Sequence, residues 1–375
     1  MATRLNELIP QGEAFLRKLY VELEILGINT SELRIDHLCY RVATRSEYET
    51  LRHALNAEAK LLSEAQVNGR PIATYRLPAP FRALSGDVPL LELPSPKEGA
   101  PYPTGFEHAE SVSARSFFWW RQAHPTLAFS EGGNAILNPE LALKTPAGSL
   151  KLHYAPLDRV IEMEDARIQH VVFDLDGTLV DSHASVVDTN RRVFSEILGT
   201  PFTYEETLAR FSTDFLSLCA RFGVNDDAGR AQVVKLWGRY IQDFEPRLFK
   251  GARELLEALQ AANVTCHIWT ARDEESTRKI LAHEGIAAHF ETLSFGGAQC
   301  SKPDPASLRL DRERLAPGTV LMIGDSVTDM RGARALGAFR AAALWDPVVA
   351  LDPLIEEGAE LFFRTPLELR DWLLT

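Results

Sequence analysis

Asp174 and Asp176 stand two residues apart in Asp174-Leu175-Asp176-Gly177-Thr178, directly after the apolar run His170-Val171-Val172-Phe173. Two carboxylates at the end of a buried strand are costly to hold there, because an unpaired buried carboxylate tends to take up a proton. Taken alone, the segment also suits an ordinary strand-to-turn junction, with Asp and Gly as turn residues. Residues further along tip the reading toward chemistry. Thr270 ends a second apolar stretch, Lys302 lies in Ser301-Lys302-Pro303-Asp304, and Asp325 and Asp329 follow a third apolar stretch. A nucleophile, an acid, a hydroxyl, a cation and metal-binding carboxylates, in this order, are what phosphoryl transfer uses.

The chemistry assigns roles. A phosphomonoester dianion repels nucleophiles, so its charge has to be met, here by a divalent metal and Lys302. Asp174 is the expected nucleophile, since a carboxylate can attack phosphorus and divide a hard hydrolysis into two steps. Asp176 then protonates the leaving oxygen and later takes a proton from the attacking water. Gly177 lets the chain turn close to the bound group, and Thr178 helps to position it. Mg²⁺ prefers hard oxygen ligands. Asp174 and Asp325 are the expected ligands, with Asp329 one helical turn further on as an outer or alternate one.

These residues need a scaffold that brings them together. From His170 onward the pattern alternates strand and helix, with strands expected at 170–174, 264–269, 291–295, 319–324 and 339–344. Helices are expected at 251–262, 273–284, 304–310, 328–336 and 366–373. Such alternation predicts a parallel sheet in an α/β fold, where ligands bind beyond the carboxyl ends of the strands. Asp174, Thr270 and Asp325 fall at such ends. Between the first two strands lies a stretch with helical patterning at 183–198, 204–222 and 227–244, longer than a crossover needs. It predicts an inserted helical cap over about 183–246.

On Asp174-Leu175-Asp176-Gly177-Thr178, Thr270, Lys302-Pro303-Asp304-Pro305, Gly324-Asp325-Ser326 and Asp329, residues 170–375 resemble the haloacid dehalogenase (HAD) superfamily, in its phosphoglycolate-phosphatase-like branch. The resemblance implies a Rossmann-like core, a mobile cap, Mg²⁺ dependence and an aspartyl-phosphate intermediate. It implies metal binding by Asp174, the backbone carbonyl of Asp176, Asp325 and Asp329, and phosphate contacts at Thr178, Thr270, Ala271 and Lys302. True dehalogenases of the superfamily lack the second Asp, so Asp176 points to phosphoryl chemistry. A phosphomutase would keep the same motifs, and both activities stay open. Arg272 departs from the small polar residue common after the Thr; it could reach substrate anions or cap the following helix. Arg191, Arg192 and Arg210 in the cap could meet an anion or face solvent.

The first half reads differently. Residues 4–26 carry apolar positions at helical spacing. Then come a strand at 35–43, a helix with Ser46 as N-cap through about Leu55, and strands at 60–63, 71–77 and 88–93, with Asn68-Gly69 as a turn. The order repeats, with a strand at 106–112, a helix at 115–122, and strands at 126–129, 141–145 and 149–154. An internal repeat of about 70 residues follows, giving an α+β domain of paired βαβββ modules. On Asp36-His37, Asn68-Gly69-Arg70-Pro71, Glu92, Phe106-Glu107-His108 and Lys151-Leu152-His153, this half resembles the vicinal oxygen chelate fold, and within it the YecM-like family. The resemblance maps a second divalent metal onto His37, Glu92, His108 and His153. Such a set suits Fe, Mn, Zn or Ni, although a strand His is as readily a hydrogen-bonded structural residue. Metal-dependent lyase, isomerase or oxygenase chemistry and a non-catalytic binding module remain alternatives for this half.

The chain of 375 residues is long for one core, which predicts two domains. We expect them at 1–160 and 170–375, joined by the charged stretch 155–169, where a helical turn could form, with 161–169 as the linker. A net charge of −12 argues against a general nucleic-acid binder. Four cysteines without a CxxC pair fit a reducing compartment. No apolar segment at the N-terminus suggests a signal peptide, and no run of about 18 apolar residues suggests a membrane span. The expectation is a cytoplasmic enzyme acting on a small phosphorylated metabolite.

Overall fold

The computed structural model describes residues 7–67, 69–97, 99, 102–212, 215–241, 247–296, 302–310, 316 and 318–375. Leu5, Asn68, residues 242–244 of the expected cap helix and Cys300 lie outside them. The chain divides into two compact units, Met1–Ala166 with Leu351–Leu361, and Arg167–Ala350 with Phe362–Thr375.

In the first unit the helix Gly12–Ile25 precedes two modules of one strand, one helix and three strands. The first holds β1 (Arg34–Arg41), β2 (Lys60–Val67), β3 (Arg70–Ala83) and β4 (Gly86–Pro94). The second holds β5 (Gly105–Val112), β6 (Ser130–Asn134), β7 (Asn138–Thr145) and β8 (Gly148–His153). They form one eight-stranded sheet in the order β2-β3-β4-β1-β5-β8-β7-β6, whose halves mirror each other about the β1–β5 pair. The register has the same symmetry: His37 pairs with Glu110 and Cys39 with His108. Strand alternation puts Leu38, Leu91, Ala109 and Leu150 into the core with Leu16, Leu19, Tyr48 and Leu55 of the helices. The adjacent residues His37, Glu92, His108, Glu110 and Lys151 line a cavity instead.

Several boundaries differ from the sequence expectation. Thr44, not Ser46, caps the helix Arg45–Glu58, because the Thr44 and Glu47 side chains form a reciprocal capping box. The strand expected at 126–129 is displaced to 130–134, since Leu127 N and Phe129 N bond to the nearby carbonyls of His124 and Leu127. Within the charged stretch 155–169, Leu157–Asp165 is a helix that buries Val160, Ile161 and Met163.

The second unit holds a six-stranded sheet of β9 (His170–Phe173), β10 (Thr265–Trp269), β11 (Phe290–Ser294), β12 (Val320–Gly324), β13 (Phe339–Ala343) and β14 (Leu361–Phe363), in the order β11-β10-β9-β12-β13-β14. Strands β9 to β13 pair in parallel, with β9 between β10 and β12. Such central strands are buried on both faces and read as apolar runs rather than alternating ones; every residue of β12 is buried. The short β14 and the helix Leu351–Glu356 carry too little periodicity to stand out in sequence. The helix expected at 304–310 is a single 3₁₀ turn at Pro305–Ser307, capped by Asp304.

The cap consists of helices His183–Leu198, Tyr204–Arg210, Phe215–Arg221 and Asp227–Tyr240, so the expected helix 204–222 is two. Val193, Phe194, Leu218, Cys219, Phe222, Val233 and Leu236 form its own core, with the Phe194 and Phe222 rings stacked 3.9 Å apart. No helix among the described residues is long and apolar enough to cross a membrane.

Leu38 lies fully buried at the centre of β1. Leu38→Ala is expected to cost about 3 kcal/mol, read as a lower denaturant midpoint for the first unit; an unshifted transition would contradict its place in the core.

Candidate functional site

The register of the parallel sheet explains why distant residues meet. Phe173 pairs with Ile268 on one side and Ile323 on the other. Asp174, Thr270 and Asp325 therefore leave their strands at nearly one level. Asp174 N donates to Ile323 O at 3.0 Å, which anchors the Asp174 end of that row.

Two glycines leave room for carboxylates. Gly177 has φ 78°, and a Cβ there would lie 2.6 Å from Asp325 Oδ2. At Gly324 a Cβ would lie 2.3 Å from Asp329 Cγ. Asp174, Asp325 and Asp329 each offer an oxygen within 4.8 Å of the others, and all three are buried. Lys302 Nζ bridges two of them, donating to Asp174 Oδ1 at 2.6 Å and Asp329 Oδ1 at 2.5 Å. Asp329 Oδ2 also accepts from Ser326 N and Ser326 Oγ, at 3.0 and 2.6 Å. Thr178 Oγ1 donates to Asp325 Oδ1 at 3.2 Å.

The crowding has electrostatic consequences. Burial first, then the nearby Asp329 charge, pushes the Asp325 carboxyl up to about 7. Burial and the charges of Asp329 and Asp325 also hold Asp174 well above the usual carboxylate range, against the pull of Lys302. Burial alone would lower Lys302, but Asp174 and Asp329 together raise it. Three hard-oxygen donors and one close ammonium leave negative charge in excess, and a divalent cation of the Mg²⁺ type fits that donor set.

Asp176 is held differently. Arg272 grips it with two charge-assisted bonds, Nε to Oδ2 at 2.8 Å and Nη2 to Oδ1 at 2.6 Å. Burial would raise the Asp176 pKa, yet the guanidinium overcomes it and lowers it. Thr270 Oγ1 accepts from Arg272 N at 3.1 Å, which fixes the loop after β10.

Above these groups is a cavity of about 380 Å³ whose lining includes Asp174, Asp176, Thr270, Ala271, Lys302 and Asp325. Phe211, Phe215, Leu218, Val233 and Trp237 of the cap supply apolar lining. Thr178 and Asp329 are fully buried and do not line it, so they contact the acidic cluster rather than the open space. Arg191, Arg192 and Arg210 do not line it either. Arg191 bonds Asp188, Arg192 stacks over Tyr240, and Arg210 reaches Glu206 O.

Sequence reasoning missed one pair beside the acidic cluster. His183 Nδ1 bonds Asp346 Oδ2 at 2.5 Å, and His183 Nε2 lies 3.5 Å from Asp325 Oδ2. A signal existed, since Asp346 follows the β13 strand on the side of the sheet where the other strand-end residues gather.

The first unit holds a second polar cluster in a cavity of about 710 Å³. His37, Glu92, His108 and Glu110 each offer a ligand atom within 4.8 Å of the others. Each His is oriented from behind: Asp36 Oδ2 lies 2.9 Å from His37 Nδ1, and Glu107 Oε2 2.6 Å from His108 Nδ1. Both Nε2 atoms are thereby turned to Glu110, at 3.5 and 2.9 Å. His108 Nε2 has the distance but not the alignment of a hydrogen bond there, and is buried with no hydrogen-bond partner among the described residues, Glu92 Oε2 lying 3.6 Å away. Carboxylate-backed imidazoles facing carboxylates form a donor set suited to a borderline divalent metal. Burial alone would lower His37, but Glu110 and Asp36 raise it to about 10.

His153 does not belong to this set. It pairs across from Val112, two residues beyond the Glu110–Lys151 pair, and that step moves it about 7 Å along the strand. It packs edge-on against His37 at 5.8 Å, with both ring nitrogens buried and lacking a hydrogen-bond partner among the described residues. Glu110 takes its place. The symmetry of the repeat puts Lys151 where the first half has Glu92, since Cys39 pairs with Glu92 and Glu110 with Lys151. Lys151 Nζ bonds Glu110 at 3.1 Å and Glu140 at 2.8 Å.

Comparison with known proteins gives the following. Residues 4–129 match the family described as YecM protein, and residues 171–343 match haloacid dehalogenase-like hydrolase. Phosphoglycolate phosphatase of Rhodospirillum rubrum is 30% identical over 225 residues, covering 54% of this chain and 90% of that protein. Tyrosine-protein kinase PtkA of Mycobacterium tuberculosis is 32% identical over 187 residues, covering 47% of this chain and 62% of its own length. The structure of a predicted phosphatase from Clostridium acetobutylicum superposes with a TM-score of 0.50 at 18% identity, covering 55% of this chain and 98% of that one, and so shares the fold.

A carboxyl that holds its proton more tightly when folded stabilises the fold at low pH and loses that contribution as pH rises through its folded pKa. For Asp325 this window runs from 3.8 to about 7. Metal-free protein should lose thermal stability across it, and added Mg²⁺ should raise the melting temperature more at pH 7.5 than at pH 5. Equal Mg²⁺ effects at both would contradict the crowded-carboxylate picture.

Proposed function

Given that the chain belongs to the haloacid dehalogenase-like hydrolases, we propose that its second unit hydrolyses a small phosphomonoester through an aspartyl-phosphate on Asp174. The observation that carries this is the buried group of Asp174, Asp325 and Asp329 bridged by Lys302 beneath the capped cavity. Asp174 attacks phosphorus, and the bond to the leaving oxygen breaks as Asp176, after taking up a proton from solvent, gives it to that oxygen. Asp176, now a carboxylate, takes a proton from water; the water oxygen attacks phosphorus and frees Asp174 and inorganic phosphate. Lys302 offsets charge on the nucleophile and the phosphoryl group, and Thr270 and Ala271 line the space the phosphoryl group enters. Mg²⁺, held by Asp174, Asp325 and the Asp176 carbonyl with Asp329 behind, would supply Lewis-acid neutralisation of the phosphoryl oxygens. The cavity of about 380 Å³ favours a metabolite-sized ester, and a cytoplasmic setting suits the buried free thiols Cys39, Cys219 and Cys266. The relatives described as phosphoglycolate phosphatase make that ester the first substrate to try.

The test is Mg²⁺-dependent phosphate release from an aryl phosphate. Asp174→Asn and Asp174→Ala should each lower kcat by about a thousandfold or more, and chelation should abolish turnover. Activity surviving either substitution would remove Asp174 from its role. A phosphomutase would return an isomeric phosphate ester in place of inorganic phosphate.

We propose in addition that His37, Glu92, His108 and Glu110 bind one divalent transition metal in the first unit, on the strength of the two carboxylate-backed imidazoles. Elemental analysis of the dialysed full chain should find about one such ion per chain, and His37→Ala with His108→Ala should weaken its retention about 10- to 100-fold or more. A chain that stays metal-free after incubation with Zn²⁺, Mn²⁺, Fe²⁺ and Ni²⁺ would rule the site out.

A further inference from the structure

The expected acid–base group of the second unit is already engaged. Both oxygens of Asp176 accept bonds from Arg272, whose side chain is 4% exposed. A carboxylate gripped through both oxygens by a planar guanidinium is oriented along the guanidinium plane. It cannot turn to a leaving oxygen without giving up at least one of those bonds. The same guanidinium faces the ligand space. Among the described residues lining the cavity, those able to carry positive charge are Lys302, His183 and Arg272. Lys302 is tied to Asp174 and Asp329, and His183 to Asp346. Arg272 also lies beneath the cap, its Cζ 5.9 Å from the Trp237 ring centre, and it lines an adjoining hollow of about 560 Å³ as well. An anion on the leaving alcohol, beside the apolar cap wall, finds in Arg272 a fork already shaped for a carboxylate.

Resting on the phosphatase reading above, we propose that Arg272 is a latch on Asp176, released when an anionic group on the leaving alcohol takes over its bidentate contact. The leaving group thus frees the residue that will protonate it. Arg272 acts as a positioning residue before the exchange and as a binding residue after it. Discrimination between anionic and neutral leaving groups then appears in kcat as well as in KM, because a neutral ester is bound next to a carboxylate that remains paired with Arg272.

The test compares phospholactate with isopropyl phosphate, in which a methyl replaces the carboxylate, using the full chain with Mg²⁺. The unaltered protein should turn over phospholactate with a kcat about 10- to 100-fold higher, the range of one lost charge-assisted contact. Arg272→Gln should lower kcat/KM for phospholactate by a similar factor and raise kcat for isopropyl phosphate, narrowing the gap from both sides. Arg272→Lys, which keeps the charge without the fork, should fall between them. Added acetate should speed isopropyl phosphate turnover by the unaltered chain and leave Arg272→Gln unaffected. Equal losses on both esters, with no acetate effect, would overturn the latch and leave the hydrolase reading standing. No Mg²⁺-dependent turnover of any phosphomonoester by the unaltered chain would overturn both.

Discussion

Three carboxylates cannot share a buried space less than 5 Å across without something to hold them there. Asp174 and Asp325 do so at the ends of two neighbouring strands and Asp329 in the first turn of the helix that follows, and much of the second unit is arranged around that repulsion. Lys302 reaches in from a separate loop to bridge two of the three. Ser326 opens the helix Val327–Leu336 with its backbone and hydroxyl on Asp329. Gly177 and Gly324 occur where any side chain would strike a carboxylate. Charge that stays uncompensated shows as raised proton affinity on Asp174 and Asp325. The same excess is what would draw a divalent cation to the cluster.

The two carboxylates proposed for catalysis are thereby separated by environment. Asp174 lies in the acidic cluster and Asp176 in the grip of Arg272. Two residues apart in sequence, they project into opposite electrostatic settings, one crowded by like charge and one neutralised by a guanidinium. Environments that push two titratable groups apart in this way let similar side chains take different parts in a reaction. The apolar wall from the cap strengthens both by reducing the water that would screen them.

The first unit shows how a symmetric backbone can carry an asymmetric site. Its two modules meet at β1 and β5, and the register relates His37 to His108 and Glu92 to Lys151. The imidazoles obey the symmetry, each backed by the carboxylate of the residue before it. The remaining positions break it: Cys39 is matched by Glu110, and a carboxylate by an ammonium. Lys151 therefore offsets part of the acidic charge that its counterpart Glu92 contributes.

The parts legible in sequence were those set by short-range pattern. Apolar runs ending in Asp174, Thr270 and Asp325 marked parallel strands whose ends form a site, and the long helical stretch between the first two marked a cap. The repeat of strand, helix and three strands was legible for the same reason, since periodicity and turn residues are local properties. Charge hid the extent of the helix Leu157–Asp165, where the sequence suggested no more than a turn, because its buried face is only Val160, Ile161 and Met163. Contacts across elements were decided by the tertiary structure, because they depend on register and side-chain direction. The resemblance placed His153 with His37, Glu92 and His108, whereas the fold groups Glu110 with those three and puts His153 with Asp36 and His37 instead. Arg272 could have capped a helix or met an anion, and the packing of its loop against Asp176 gave it a third partner. By itself the sequence determined which chemical groups the chain owns and in what order its strands deliver them. The fold decided which of those groups touch, since burial and distance set how strongly one charge acts on another.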